Sequence, residues 1–314
     1  MSADDILRSD RIAVASTRER GFFQKSSRTF NSRPQKYWIF RFLWLATNGL
    51  LVLSIFLAAY ATVWEFSTRR YLRGFSDAIV PITAPGEEKI EAILDWMAHG
   101  PARNPSSPDN VTSTRDPTDT LNYKALLEVC GTATNAFINL LDAENIRVRR
   151  LLLLDSHQLT KHVVAEVLVD GRWIIVDPAF RVIPRSADGR TLTSKELSDP
   201  VTFVEATQRI PNYDPTYTFD HAAHIRMARL PFLGMLLQKI LERIIPSWDA
   251  SPVMSLLVER ESLASVVSAI LLVIFLICLR IAVRWYGERR LGIQSVRMRG
   301  QLHRVWTVLL DTAH

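Results

Sequence analysis

The chain has 314 residues, 48% hydrophobic and 22% charged, with a net charge of +6. That length allows one or two domains, and its two cysteines, Cys130 and Cys278, rule out a disulfide scaffold. No Walker loop, dinucleotide fingerprint or basic and aromatic patch occurs, so nucleotide cofactors and nucleic-acid partners are set aside.

The first 35 residues are rich in Ser, Arg, Lys and Gln and lack apolar periodicity, which predicts a disordered tail. Phe42 to Val63 then reads FLWLATNGLLVLSIFLAAYATV, with Asn48 its strongly polar interruption and no ionisable group before Glu65. A helix of that length crosses a hydrocarbon layer of about 30 Å. Trp38, Trp44 and Trp64 suit the interfaces. Ala59, Tyr60 and Ala61 form a small-x-small cleavage pattern, but 41 residues before the apolar core favour an uncleaved anchor over a signal peptide. A second run, Ser265 to Leu279, continues past Arg280 to Val283, where the arginine can snorkel and Trp285 and Tyr286 follow.

Charge orients the two spans. Residues 1–41 hold nine Lys or Arg against four Asp or Glu, residues 265–314 hold seven against two, and residues 64–264 hold 22 against 26. Basic tails stay in the cytoplasm, so both termini are expected inside and the intervening segment outside, despite Arg69, Arg70 and Arg73 beside the first span.

Between the spans, Ile90, Ile93, Leu94 and Met97 predict an amphipathic helix over Glu87–His99. Residues 100–120 are dense in Pro, Ser, Asp and Asn and predict an exposed loop, which carries an Asn110-Val-Thr sequon. Ala133, Ala136, Phe137, Leu140 and Leu141 then mark a helix stripe, with Cys130 on it near the start and Asn145 as a left-handed cap. Val148–Leu154 reads as a strand. His162–Val169 and Arg172–Pro178 read as two more, joined by Asp170-Gly171 in a type I′ turn. That turn pairs Val169 with Arg172 and puts His162, Val164, Glu166 and Leu168 on one face with Trp173, Ile175 and Asp177. His162 and Asp177 become diagonal neighbours, about 7 to 8 Å apart at the backbone. The face they share is expected to meet the Cys130 helix, with Val163, Ala165, Val167, Ile174 and Val176 on the other. Phe203–Tyr217 reads as irregular and uninformative. Spacing predicts a helix from Ala222 to Ile245, split at Pro231, that packs on the domain or lies on the membrane.

A thiol at a helix N-terminus beside an imidazole is a potential nucleophile. Cys130 is so placed, with His162 to take its proton and Asp177 to hold the ring. The Cys130 N–H can serve an oxyanion hole, with Asn122, Tyr123 and Trp173 as side-chain candidates. His221 and His224 lack a third ligand at zinc spacing, so no metal is expected. Asp155, Ser156 and His157 lack the strand-turn-helix elbow of a serine hydrolase.

The stretches VCGTATNAFINLLDAENIRVRRLLLLDS and KHVVAEVLVDGRWIIVDPAF resemble the transglutaminase-like core: Cys at a helix start, His opening a strand, Asp ending the next. The resemblance covers about 60 residues, and DGRW before VDP is its most specific piece. Two departures stand out: Val163 after the histidine, and the lack of an obvious oxyanion residue before Cys130. It implies an α+β, papain-like fold with an antiparallel sheet packed on the Cys-bearing helix. It also implies acyl transfer through Cys130, His162 and Asp177 with no cofactor. The expected organisation is a cytoplasmic tail (1–41), a span (42–63), an extracytoplasmic domain (64–250), a linker (251–264), a span (265–283) and a second cytoplasmic tail (284–314). The expectation is a cysteine peptidase, amidase or acyltransferase in a bacterial inner membrane, its domain in the periplasm and its substrate a peptide or protein of the cell envelope. An inactive transglutaminase-like binding module in envelope or exopolysaccharide assembly is the alternative.

Overall fold

The computed structural model describes residues 34–100, 104–105, 114–225, 239, 242–243 and 245–290. The predicted tail before residue 34, the Asn110 sequon, most of the predicted 100–120 loop, most of the predicted helix after Ala222 and the second tail from residue 291 lie outside the described residues. In chain order the elements are α1 (Pro34–Ile79), α2 (Gly86–His99), α3 (Pro117–Asn122), a 3-10 turn (Lys124–Glu128) and α4 (Cys130–Ala143). Then come β1 (Val148–Leu154), β2 (Thr160–Val169), β3 (Arg172–Val176), α5 (Ser194–Leu197), α6 (Pro200–Thr207) and β4 (Ala222–Ala223). A second 3-10 turn (Trp248–Ala250), α7 (Pro252–Glu259) and α8 (Glu261–Arg290) complete the chain.

Two compact units result, one from the outer parts of α1 and α8 and the other from residues 56–271. In the first, the Arg280 guanidinium lies 5.3 Å from the centre of the Trp44 ring. Both α1 and α8 are long and apolar enough to cross a membrane. Only 17% and 6% of their most apolar stretches are buried, unlike the core helix of a globular domain.

Both helices outrun the apolar runs that mark them. Past Val63, α1 continues to Ile79 because Leu72 and Phe75 enter the core of the second unit. The expected 251–264 linker is not one: Pro252 opens α7 at its first turn, and Ser255, Glu259, Arg260 and Ser262 are all buried. The order comes from distant polar partners of Glu259 and Arg260, which no local pattern announces.

The second unit is built on a four-stranded antiparallel sheet in the order β3-β2-β1-β4. Asp170 and Gly171 have φ of 47° and 80°, as a type I′ turn requires, and Val169 pairs with Arg172. Where a helix was expected to begin, Ala222 and Ala223 instead pair with Leu153 and Leu152, covering the otherwise open edge of β1.

Both sheet faces are apolar, and each needs a cover. Ala165, Val167, Ile174 and Val176 pack with Ala133, Ala136, Phe137, Leu140 and Leu141 of α4, and with Ile90, Ile93, Leu94 and Met97 of α2. The other face, with Leu151, Leu153, Val164 and Ile175, lies under Leu192, Leu197, Phe203 and Phe219. The Cys-bearing helix therefore covers the face opposite His162, not the face expected from the sequence. Its five-residue apolar stripe matches the unbroken Ala/Val/Ile surface better than one interrupted by His162, Glu166 and Asp177.

Candidate active site

Cys130 is the first residue of α4, and the preceding Val129 supplies no side-chain cap. No acidic residue occupies the first turn, so the free N–H groups and the positive end of the helix dipole face the sulfur uncontested. The thiol packs at the sheet end beside Leu152, Leu154 and Val163. Cys130 is partly exposed, in contrast to His162 at 2% and Asp177 at 0%.

Although α4 lies on the opposite face, sulfur and imidazole meet at the start of β2, where the His162 ring and the N–H groups of Gly131 and Val163 act electrostatically on the Cys130 sulfur. His162 Nε2 lies 2.7 Å from Asp177 Oδ2, which leaves Nδ1 for the thiol. Asp177 directly follows β3. Its Oδ1 accepts from the N–H of Ala179 and of Phe180 at 3.1 and 3.2 Å, and its backbone pairs with Val182. These bonds fix the carboxylate in place.

The charge balance follows from the same contacts. Burial opposes ionisation of Cys130, but the His162 hydrogen bond and charge, with the two N–H donors, pull the thiol below its ordinary value. Burial likewise opposes the imidazolium, yet its hydrogen bonds to Asp177 and Cys130, with their charges, raise His162 to about 9. The two groups titrate as a pair, and the thiolate and imidazolium forms support each other.

Residues unremarked in the sequence complete the setting. Tyr217 stacks on His162 with ring centres 4.4 Å apart and planes 5° apart, while Phe180 and Tyr213 approach edge-on at 5.7 and 6.2 Å. The Tyr213 hydroxyl donates to Asp177. Its own ionisation is pushed up by burial and by the Asp177 charge. Both tyrosines come from the stretch read as uninformative. The available signal was two aromatics four residues apart in a polar loop, which need somewhere to bury their rings.

Trp173 is not at this site. It pairs with Leu168 beside the hairpin turn and lies under the Arg149 guanidinium at 4.1 Å. Six strand residues from Leu168 to His162 amount to about 20 Å. Asn122 ends α3, where its side chain accepts from the Tyr71 hydroxyl. His224 bonds Glu166, a second buried acid on the His162 face that also binds Arg149 and Ser194. Burial resists the Glu166 charge, but His224 and Arg149 hold its carboxyl below the usual range.

The sequence model of the transglutaminase-like superfamily matches residues 73–178. Residues 73–178 are a transglutaminase-like superfamily domain. The match runs from the end of α1 through Cys130 and His162 and stops one residue past Asp177. Tyr213 and Tyr217 fall beyond it. No curated protein and no solved structure matches the chain. The transglutaminase-like domain joins mixed helices to the antiparallel sheet, in a chain with two apolar helices of spanning length. Its family supports a papain-like cysteine enzyme type.

Proposed function

We propose that this protein is a membrane-anchored cysteine enzyme that cleaves peptide or amide bonds through a thioester on Cys130. The observation that carries this reading is the 2.7 Å bond between His162 and Asp177 beside the Cys130 thiol, whose ionisation His162 favours, at an acid-free helix start. The thiolate attacks the acyl carbon, a C–S bond forms, and the carbonyl electrons move to oxygen, stabilised by the Cys130 N–H. Collapse of the adduct breaks the C–N bond, and the amine leaves with the proton of the His162 imidazolium. Neutral His162 then takes a proton from water, the hydroxide attacks, the C–S bond breaks, and thiolate and imidazolium are restored. With an amine in place of water, the same step is a transfer. The partial exposure of Cys130 favours hydrolysis.

In this reading α1 and α8 anchor the chain in a bacterial inner membrane. Both termini lie in the cytoplasm, the domain lies in the periplasm, and its substrate is a peptide or protein of the cell envelope. The balance of +5, −4 and +5 over residues 1–41, 64–264 and 265–314 supports that orientation.

Reactivity of the thiol tests the chemistry. Full-length protein in detergent is expected to alkylate with iodoacetamide at Cys130 rapidly at neutral pH, and His162→Ala to slow the reaction at least tenfold. An ordinary thiol rate that His162→Ala leaves unchanged would falsify the enzyme reading and favour a binding module in envelope or exopolysaccharide assembly.

A further inference from the structure

Three aromatic rings surround His162, but they do not present the same surface to it. Phe180 and Tyr213 offer edges, at interplanar angles of 63° and 81°, and Tyr217 alone among the three offers its face, at 5°. The face of an aromatic ring is the negative part of its quadrupole, so it attracts a cation laid against it. His162 is the group of the site that carries positive charge when Cys130 is ionised. Tyr217 also lies in the 208–221 loop, beyond the residues that match the superfamily.

We propose that Tyr217 is a positioning residue for the Cys130–His162 pair, its ring face holding the imidazole plane toward the sulfur and favouring the protonated ring. Two functions separate the two tyrosines. Tyr213 commits its hydroxyl to Asp177, so it acts on the carboxylate, whereas Tyr217 acts on the ring through its π face. Tyr213 meets Tyr217 edge-on at 5.4 Å and so buttresses the stack.

The charged and titratable groups around His162 are Cys130 from α4, Asp177 after β3, Tyr213 and Tyr217 from the loop, and Asp214 from the same loop, with Lys161 beside it on β2. Asp177 and Asp214 favour the imidazolium, and Lys161 offsets part of the Asp214 charge. Apart from Tyr217 itself, none of these groups is altered when it is replaced by an apolar side chain, and Tyr217→Phe separates the loss of its hydroxyl from the loss of its ring face.

The proposal rests on Cys130 and His162 acting as an ionised pair, and the test separates the two claims. The pH dependence of iodoacetamide alkylation is measured on full-length protein in detergent for wild type, Tyr217→Phe and Tyr217→Leu. Phe keeps the π face and is expected to titrate as wild type does. Leu keeps an apolar cover without a π face, and is expected to raise the apparent pKa of the thiol by about one unit, with roughly tenfold slower alkylation on the acidic limb. If Tyr217→Leu does not fold, a fluorinated phenylalanine series at position 217 replaces it. Alkylation should then shift stepwise as fluorine weakens the negative ring face at constant shape. A thiol depressed in wild type but insensitive to both Leu and fluorination would overturn the role of Tyr217 alone. A wild-type thiol with an ordinary titration would overturn the ionised pair and this proposal together.

Discussion

Buried charge gathers at both ends of α4, and the two clusters behave differently. At the N-terminus, Cys130, His162 and Asp177 form a chain in which two members exchange protons within the ordinary pH range. Along the middle and C-terminal turns, Asn135, Asn139 and Asp142 meet Arg260, which is 1% exposed, and Glu259, which is fully buried. Arg260 donates to Asn139 and Asp142 at 2.7 Å each and reaches Glu65 of α1, which Ser262 also binds. Glu259 accepts from Arg115 through both oxygens at 2.9 Å and pairs with Arg150. This second cluster is held by guanidinium groups, which do not serve as proton donors or acceptors in ordinary acid–base exchange. One helix thus carries a cluster arranged for proton exchange and another of ion pairs and amide bonds, and the second ties α4 to α1 and to the start of α8.

The largest expected effects fall at the first cluster. Cys130→Ala removes the proposed nucleophile and, on the proposed function, is expected to abolish turnover and acyl-enzyme formation. It should lower the melting temperature only modestly, because the side chain lost is small and partly exposed and takes with it only its charge pairing with His162. Mass spectrometry of the trapped thioester and thermal unfolding check the two parts. Asp177→Asn is expected to cost about 10²- to 10⁴-fold in kcat while the fold persists.

Arg260→Met reverses that pattern. It removes the donor shared by Asn139, Asp142 and Glu65, but Glu65 keeps Arg69 and Ser262 and Asp142 is partly exposed, so the domain is expected to lose about 1 to 3 kcal/mol. In the fraction that remains folded, Cys130 should alkylate at the wild-type rate. Loss of alkylation in folded Arg260→Met protein would mean that the two ends of α4 are coupled, and that the second cluster sets the geometry of the first.

What could be read beforehand follows the same division between local and distant causes. The Asp170-Gly171 turn sets the hairpin register within two residues, so the shared face of His162 and Asp177 was legible, as was the helix that Cys130 opens. The side on which that helix packs was not, because both sheet faces are apolar and alternation alone does not choose between them. Tyr217 approaches His162 from 55 residues along the chain, and Glu259 finds Asn135 from 124 residues away. Such pairings leave no periodicity. The short α7 also stands just before an apolar run, where spacing cannot distinguish a packed helix from a tether.

Dependence on pH sharpens the comparison at a smaller scale. His162 is raised to about 9 from 6.5, so its charge contributes stability fully below 6.5, and that contribution is lost as pH rises toward 9. Cys130 is lowered, so its ionisation contributes stability above its ordinary value, lost as pH falls through the depressed one. Alkylation is therefore expected to level off well below the pH of an ordinary thiol, and turnover to decline above about pH 9 as the imidazolium loses its proton.

Tyr213→Phe offers the finest cut. The hydroxyl donates to Asp177 alongside the N–H groups of Ala179 and Phe180, so its loss leaves the carboxylate held but less well solvated. A hydrogen bond to a charged acceptor contributes about 1.5 kcal/mol at the lower end, which corresponds to roughly tenfold in rate if it acts fully on the imidazolium. A freer Asp177 is a stronger base toward His162, so the alkaline limb of turnover should move up slightly while kcat falls as the ring loses its fixed orientation. Steady-state kinetics over pH distinguish the two effects. A fall in kcat with no movement of the limb would assign Tyr213 to holding geometry, and a moving limb with unchanged kcat would assign it to tuning the charge of the carboxylate.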